Sequence, residues 1–179
     1  MKKYLLLLLI GSVVTIGCDP EEPEVPNEEE VITTLTYTLV PDNGGDTKTF
    51  QFRDLDGDGG DVPVIEMDAL EANTVYSGTI ELLNEQATPV MNVSEEVAEE
   101  AEEHRFFYQS TKSDLEVTIV DVDSDNDPLG LETTLSTGAA GSGKLTILLR
   151  HEPDKSAGDD PDQAGGETDI EVVFDVVVQ

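Results

Sequence analysis

Two histidines, His104 and His151, are the only imidazoles in a chain of 179 residues that carries 40 acidic side chains. Imidazole nitrogen and carboxylate oxygen together suit Zn²⁺, Cu²⁺ or Ni²⁺. Glu100 and His104 stand four residues apart, so on a helix they share one face and can converge on a metal. His151 is followed directly by Glu152, and these two would complete a set of two histidines and carboxylates. A plainer reading fits the same residues. A histidine at a helix C-terminus sits well with the dipole there, and a strand-end histidine readily meets an acid in so acidic a chain.

Two aspartate runs offer a second kind of chemistry, hard oxygen ligands for Ca²⁺. Asp54-Leu55-Asp56-Gly57-Asp58-Gly59-Gly60-Asp61 places Asp at positions 1, 3 and 5 and Gly at 6 of a calcium loop. The bidentate glutamate required at position 12 is absent: Ile65 stands there, with Glu66 one residue late. An EF-hand is therefore excluded, which leaves a calcium-binding β-loop or an ordinary Asp/Gly turn. Asp121, Asp123, Asp125 and Asp127 alternate through the second run, without a glycine. In an extended strand their side chains would point the same way and repel unless they splay or share a cation.

Catalytic machinery is not legible. The chain has no G-x-S-x-G, no H-E-x-x-H and no phosphate-cradling glycine loop. Gly138–Lys144 has the wrong spacing for a P-loop and leads into a strand pattern. Carboxylates on an open, charged surface do not acquire the raised pKa that general-acid work needs. The sequence reads as a non-enzyme.

The single cysteine, Cys18, ends a short leader: Lys2 and Lys3, an apolar run from Tyr4 to Ile16, then Gly17. That run is too short to span a bilayer as a helix, so residues 1–17 read as a cleaved signal. Thr15-Ile16-Gly17-Cys18 resembles a bacterial lipobox, with Thr15 where an aliphatic residue is usual. Cys18 is thus the expected lipidation site, and several acyl chains on one residue make a stable anchor. The alternative is a secreted protein with one free thiol. Residues 18–30 hold three prolines and a dense run of acids, which together disfavour packing and predict an extended tether. Acids directly after the lipidated cysteine resemble the surface-export signal of Bacteroidota lipoproteins, which implies an outer-membrane, cell-surface location.

Loss of Lys2 and Lys3 with the leader moves the formal net charge from −31 to −33. Such a chain repels nucleic acid and anionic lipid and attracts cations or a basic partner surface. With Cys18 acylated no thiol remains for a disulfide, so stability rests on packing, helped by any bound cation.

From Val31 to Gln179 short alternating apolar runs are separated by turn residues, the pattern of an all-β domain. The runs centre on Leu35/Tyr37/Leu39, Phe50/Phe52, Val62–Met67, Tyr76/Ile80/Leu82, Arg105–Ser110, Leu115/Val117/Ile119, Leu131/Leu135, Leu145/Ile147/Leu149 and Ile170–Val178. Eight or nine strands in residues 31–179 predict an immunoglobulin-like two-sheet β-sandwich. One acidic segment, Ser94–His104, reads instead as an inserted helix capped by Ser94, with Val97, Ala101 and His104 on its inner stripe. Residues 138–143 and 152–168 read as long loops.

Four stretches carry a resemblance to a family: Phe52–Gly60, Glu99–Tyr108, Gly143–Lys155 and Ala164–Val178. They are similar to small lipoproteins of Bacteroidota, especially flavobacteria, whose function is not established. Members are often loosely labelled type 1 periplasmic-binding-fold proteins, although the β pattern here supplies no pair of α/β lobes. The resemblance implies a lipid-anchored outer-membrane protein and, by analogy, capture of a divalent metal or small ligand for a TonB-dependent receptor. A structural or adhesive surface protein with calcium-stabilised Asp loops is the alternative.

Overall fold

The computed structural model describes residues 30–57 and 59–179. The leader, Cys18, the tether up to residue 29, and Asp58 lie outside the described residues. The elements run β1 (Thr34–Pro41), β2 (Lys48–Arg53), β3 (Val64–Met67), β4 (Val75–Asn84), β5 (Met91–Asn92), α1 (Val93–Glu99), β6 (His104–Ser110), β7 (Leu115–Ile119), β8 (Glu132–Thr137), β9 (Gly141–His151), α2 (Pro161–Ala164) and β10 (Glu167–Val178). A 3₁₀ turn at Lys155–Ala157 precedes α2.

The protein is an all-β sandwich. One antiparallel sheet is ordered β3-β2-β1-β4-β8-β7, with the two-residue β5 attached to β4, and the other is β10-β9-β6. Alternation explains the assembly. Leu35, Tyr37, Leu39, Phe50, Tyr76, Ile80 and Leu82 point in from the large sheet, while Leu145, Ile147, Leu149, Val172, Phe174 and Val176 point in from the small one. Ring contacts bridge the layers: Tyr37 lies 6.0 Å from Tyr108 and Phe50 lies 5.4 Å from Phe174, between centroids. The buried Tyr37 hydroxyl bonds Thr133 Oγ1 at 2.7 Å. Gly78 leaves the room for this pair, since a Cβ there would stand 2.5 Å from Thr133 Oγ1 and 2.7 Å from the Tyr37 ring.

All nine expected strands are present, and β5 is added. The helix differs from its expected span. It is capped by Asn92, whose side chain accepts from Ser94 N–H, and it ends at Glu99. Ser94 Oγ instead accepts a 2.6 Å bond from Leu82 N–H, tying α1 to β4. The early stop has an electrostatic cause. Glu99, Glu100, Glu102 and Glu103 crowd the negative end of the helix dipole and no basic residue occupies the last turn. Val93 and Val97 still fill the core, but His104 opens β6 rather than closing α1.

The expected loops are also shorter. β9 begins at Gly141, opposite Val178 on β10. The connection after β9 folds back over the outer face of the small sheet, where Phe107, Leu148 and Ala164 bury one another. Arg105 fastens it. Its guanidinium lies 4.6 Å over the Phe107 ring and donates to Lys155 O, Gly158 O and Asp159 Oδ1.

Candidate metal centre

His104 and His151 are directly opposite each other in the β6–β9 register. Both continue an inward-facing stripe, His104 before Phe106 and Tyr108, His151 after Ile147 and Leu149. The two rings therefore stack at one end of the sandwich, centroids 4.5 Å apart and planes at 24°. Both are almost wholly buried, 0 % and 2 % exposed.

Glu30, four residues before β1, brings a carboxylate to the pair. Its Oε1 lies 3.0 Å from His104 Nε2, and its side chain is 6 % exposed. Asp169 supplies a second buried carboxylate, with Oδ2 3.9 Å from the same nitrogen. The Asp169 placement comes from a β-bulge. Thr168 pairs with Arg150 and Ile170 with Leu149, so Asp169 is the extra residue, and bulges of this kind re-aim a side chain.

The hydrogen bonding of His104 sharpens the chemistry. Its Nδ1 is 3.1 Å from the Glu100 carbonyl, which can only accept, so Nδ1 carries the proton and donates. Fixing one ring nitrogen on a backbone carbonyl is the usual way a protein orients a ligating histidine. Nε2 then faces the Glu30 carboxylate with no aligned hydrogen bond, and Glu30 Oε2 is buried without a hydrogen-bond partner. A second proton on the ring or a cation shared with the carboxylate would each satisfy this 3.0 Å approach. Two ligands bound at 2.0–2.1 Å to a tetrahedral zinc stand roughly 3.3 Å apart, close to the spacing seen. One dication held by two neutral imidazoles would also balance the two buried carboxylates.

Two groups of donor atoms converge within 4.8 Å among the described residues: Glu30 with His104 and His151, and Glu103 with His151 and Glu152. Residues in these groups could hold a metal ion. Of the expected set, His104 and His151 fall in the first group, and His151 and Glu152 in the second. Glu100 is not used as expected: it offers its carbonyl to His104 while its side chain is exposed. Glu30, Glu103 and Asp169 are the contributors that the sequence reading did not assign. Glu30 and Asp169 come from remote segments and have no local spacing signal, whereas Glu103 lies beside His104 in an acidic run that singles out no one residue.

The aspartate runs are occupied differently. Asp54 Oδ1 accepts from Asp56 N–H and Gly57 N–H, and Asp56 Oδ2 from Asp61 N–H at 2.8 Å. In the second run Asp121 takes the amides of Gly130 and Leu131, both at 2.9 Å. Asp123 takes those of Asp125 and Asp127 through Oδ1 and the Lys155 ammonium, at 2.6 Å, through Oδ2. Burial alone would raise the Asp123 pKa, but Lys155 and the two amides hold the carboxyl below its ordinary value. Asp123 is thus paired with a lysine. Asp125 itself is exposed. A cavity of about 400 Å³ lies along the β6 and β7 edges, lined by Arg105, Tyr108, Glu116 and Asp159, and neither histidine reaches it.

Comparison with protein families, curated proteins and solved structures finds no match for this chain.

Proposed function

We propose that this protein is a non-catalytic, lipid-anchored module of the bacterial outer-membrane layer that holds one divalent transition-metal ion. His104, His151 and Glu30 are its ligands, and Asp169 is a fourth ligand or a charge-balancing neighbour. The carrying observation is the convergence of a buried, stacked histidine pair with two buried carboxylates, one bearing an oxygen without a hydrogen bond. Nitrogen-rich donors favour Zn²⁺, Cu²⁺ or Ni²⁺ over Ca²⁺. So deep a site favours retention of the ion over rapid exchange.

The site also joins the two layers. Glu30 leads into β1 of the large sheet, whereas the histidines belong to β6 and β9 of the small one. A metal there would staple the sheets together, a task that no disulfide can perform in a chain with one cysteine. It would also fix the point at which the tether meets the body. An outer-membrane receptor is the partner this reading implies, with Cys18 holding the module beside it. The internal hydrogen bonding of Asp54, Asp56, Asp121 and Asp123 supports reading the Asp loops as turns.

Calorimetric titration of the full chain in detergent with Zn²⁺ tests the proposal. One ion per chain should bind with sub-micromolar strength, and His104→Ala should weaken it on the order of 100-fold. Binding weaker than micromolar, or equal binding by the variant, would overturn it.

A further inference from the structure

Both donor groups contain His151. The inner one is buried, so an ion arriving with its water shell has no direct access to His104 and Glu30. The outer one faces solvent: the Glu103 side chain is 58 % exposed and Glu152 is exposed. His151 Nε2 lies 3.5 Å from Glu103 Oε2, so the shared imidazole already touches the outer carboxylates.

The outer group is also held in place. Glu152 N–H donates to Glu103 O at 2.6 Å, locking the α1–β6 connection to the end of β9. Glu152 adopts a left-handed φ of 50°, uncommon for a residue with a side chain. Gly166 packs against this corner so closely that a Cβ would stand 2.4 Å from His151 O. The corner thus directs two carboxylates at the solvent side of a histidine whose other neighbours form the buried set.

We propose that Glu103, Glu152 and His151 form a second divalent-cation site, a loading site through which ions reach the buried one. This rests on the metal-binding reading given above. With two carboxylates and one imidazole, the outer site suits a hydrated, weakly held ion. The inner site, with two imidazoles, holds borderline metals more tightly. Transfer is ligand exchange without redox change: the ion keeps His151, releases Glu103, Glu152 and its waters, and takes His104 Nε2 and Glu30 Oε1. A loading site lowers a barrier and leaves the end state alone, so uptake and release should slow together when it is removed.

The test is stopped-flow uptake of Co²⁺ by the full chain in detergent, at 0.15 M salt so that remote charges are screened. The visible spectrum distinguishes a six-coordinate hydrated ion from a four-coordinate one. The wild type should show a faint six-coordinate phase before an intense four-coordinate band. In Glu103→Gln/Glu152→Gln the first phase should vanish and uptake should slow roughly tenfold, with equilibrium affinity kept within about threefold. A control, Glu81→Gln/Glu171→Gln, removes the same charge from exposed strand positions and should behave as the wild type. Unchanged uptake in the double variant would overturn the loading site while leaving the buried site standing. Weaker equilibrium binding with an unslowed uptake would overturn it too, by making Glu103 and Glu152 resting ligands. Failure of the wild type to bind Co²⁺ would remove the metal reading itself.

Discussion

Replacing Lys155 by methionine should destabilise the body and loosen the proposed metal site together. Lys155 Nζ reaches Asp123 Oδ2 at 2.6 Å with both side chains almost wholly buried, and it also donates to Ala101 O. Ala101 lies three residues before His104, and Lys155 four after His151, so this ammonium clamps both segments that deliver the histidines. Removing one partner of a buried ion pair costs about 3–5 kcal/mol. Two amides still reach Asp123 Oδ1, which keeps the expected loss near the lower end, about 3 kcal/mol. In a body of this size each kcal/mol moves the Tm by about 2–4 °C, so a fall of roughly 6–12 °C is expected. Urea unfolding of wild type, Lys155→Met, Asp123→Asn and the double variant should give a coupling of roughly 1–3 kcal/mol. A loss below about 1 kcal/mol, the ordinary value for a solvent-exposed pair, would refute the reasoning.

Gly78→Ala should cost about 1–3 kcal/mol through overpacking against Tyr37 and Thr133, read as a lowered urea midpoint with unchanged slope. Because Asp123 is held below the ordinary carboxylate value, its contribution is present above about pH 4 and lost as pH falls through its folded value. Thermal melts between pH 5 and 2 should therefore fall less steeply for Asp123→Asn than for the wild type. Glu30→Gln removes a buried carboxylate oxygen that has no hydrogen-bond partner. The same change should weaken Zn²⁺ binding about tenfold or more. Added Ca²⁺ should leave the Tm unaltered, since Asp121 and Asp123 are already engaged by amides and a lysine.

Period-two alternation made the strands legible, and it should also have placed the histidines. His104 stands two residues before Phe106, and His151 two after Leu149. The helical reading of Ser94–His104 won at the sequence level because glutamate and alanine favour helix. It failed because four glutamates sit where the dipole is negative. The carboxylate partners were illegible for different reasons. Glu30 is one acid in an acidic run, and only the packing of the two sheets brings it to β6. Asp169 occupies a position that strict alternation from Ile170 would turn outward, and a bulge invisible in the sequence turns it in. The Asp runs matched a motif by spacing; in the fold Asp54, Asp56, Asp121 and Asp123 accept backbone amides, and Asp123 also meets Lys155.

The most direct test is a crystal of the zinc-soaked protein with data collected on either side of the zinc absorption edge. The account predicts one strong anomalous peak within bonding distance of His104 Nε2, His151 and Glu30 Oε1. A pole without a peak, or zinc bound only at the aspartate loops, would contradict it.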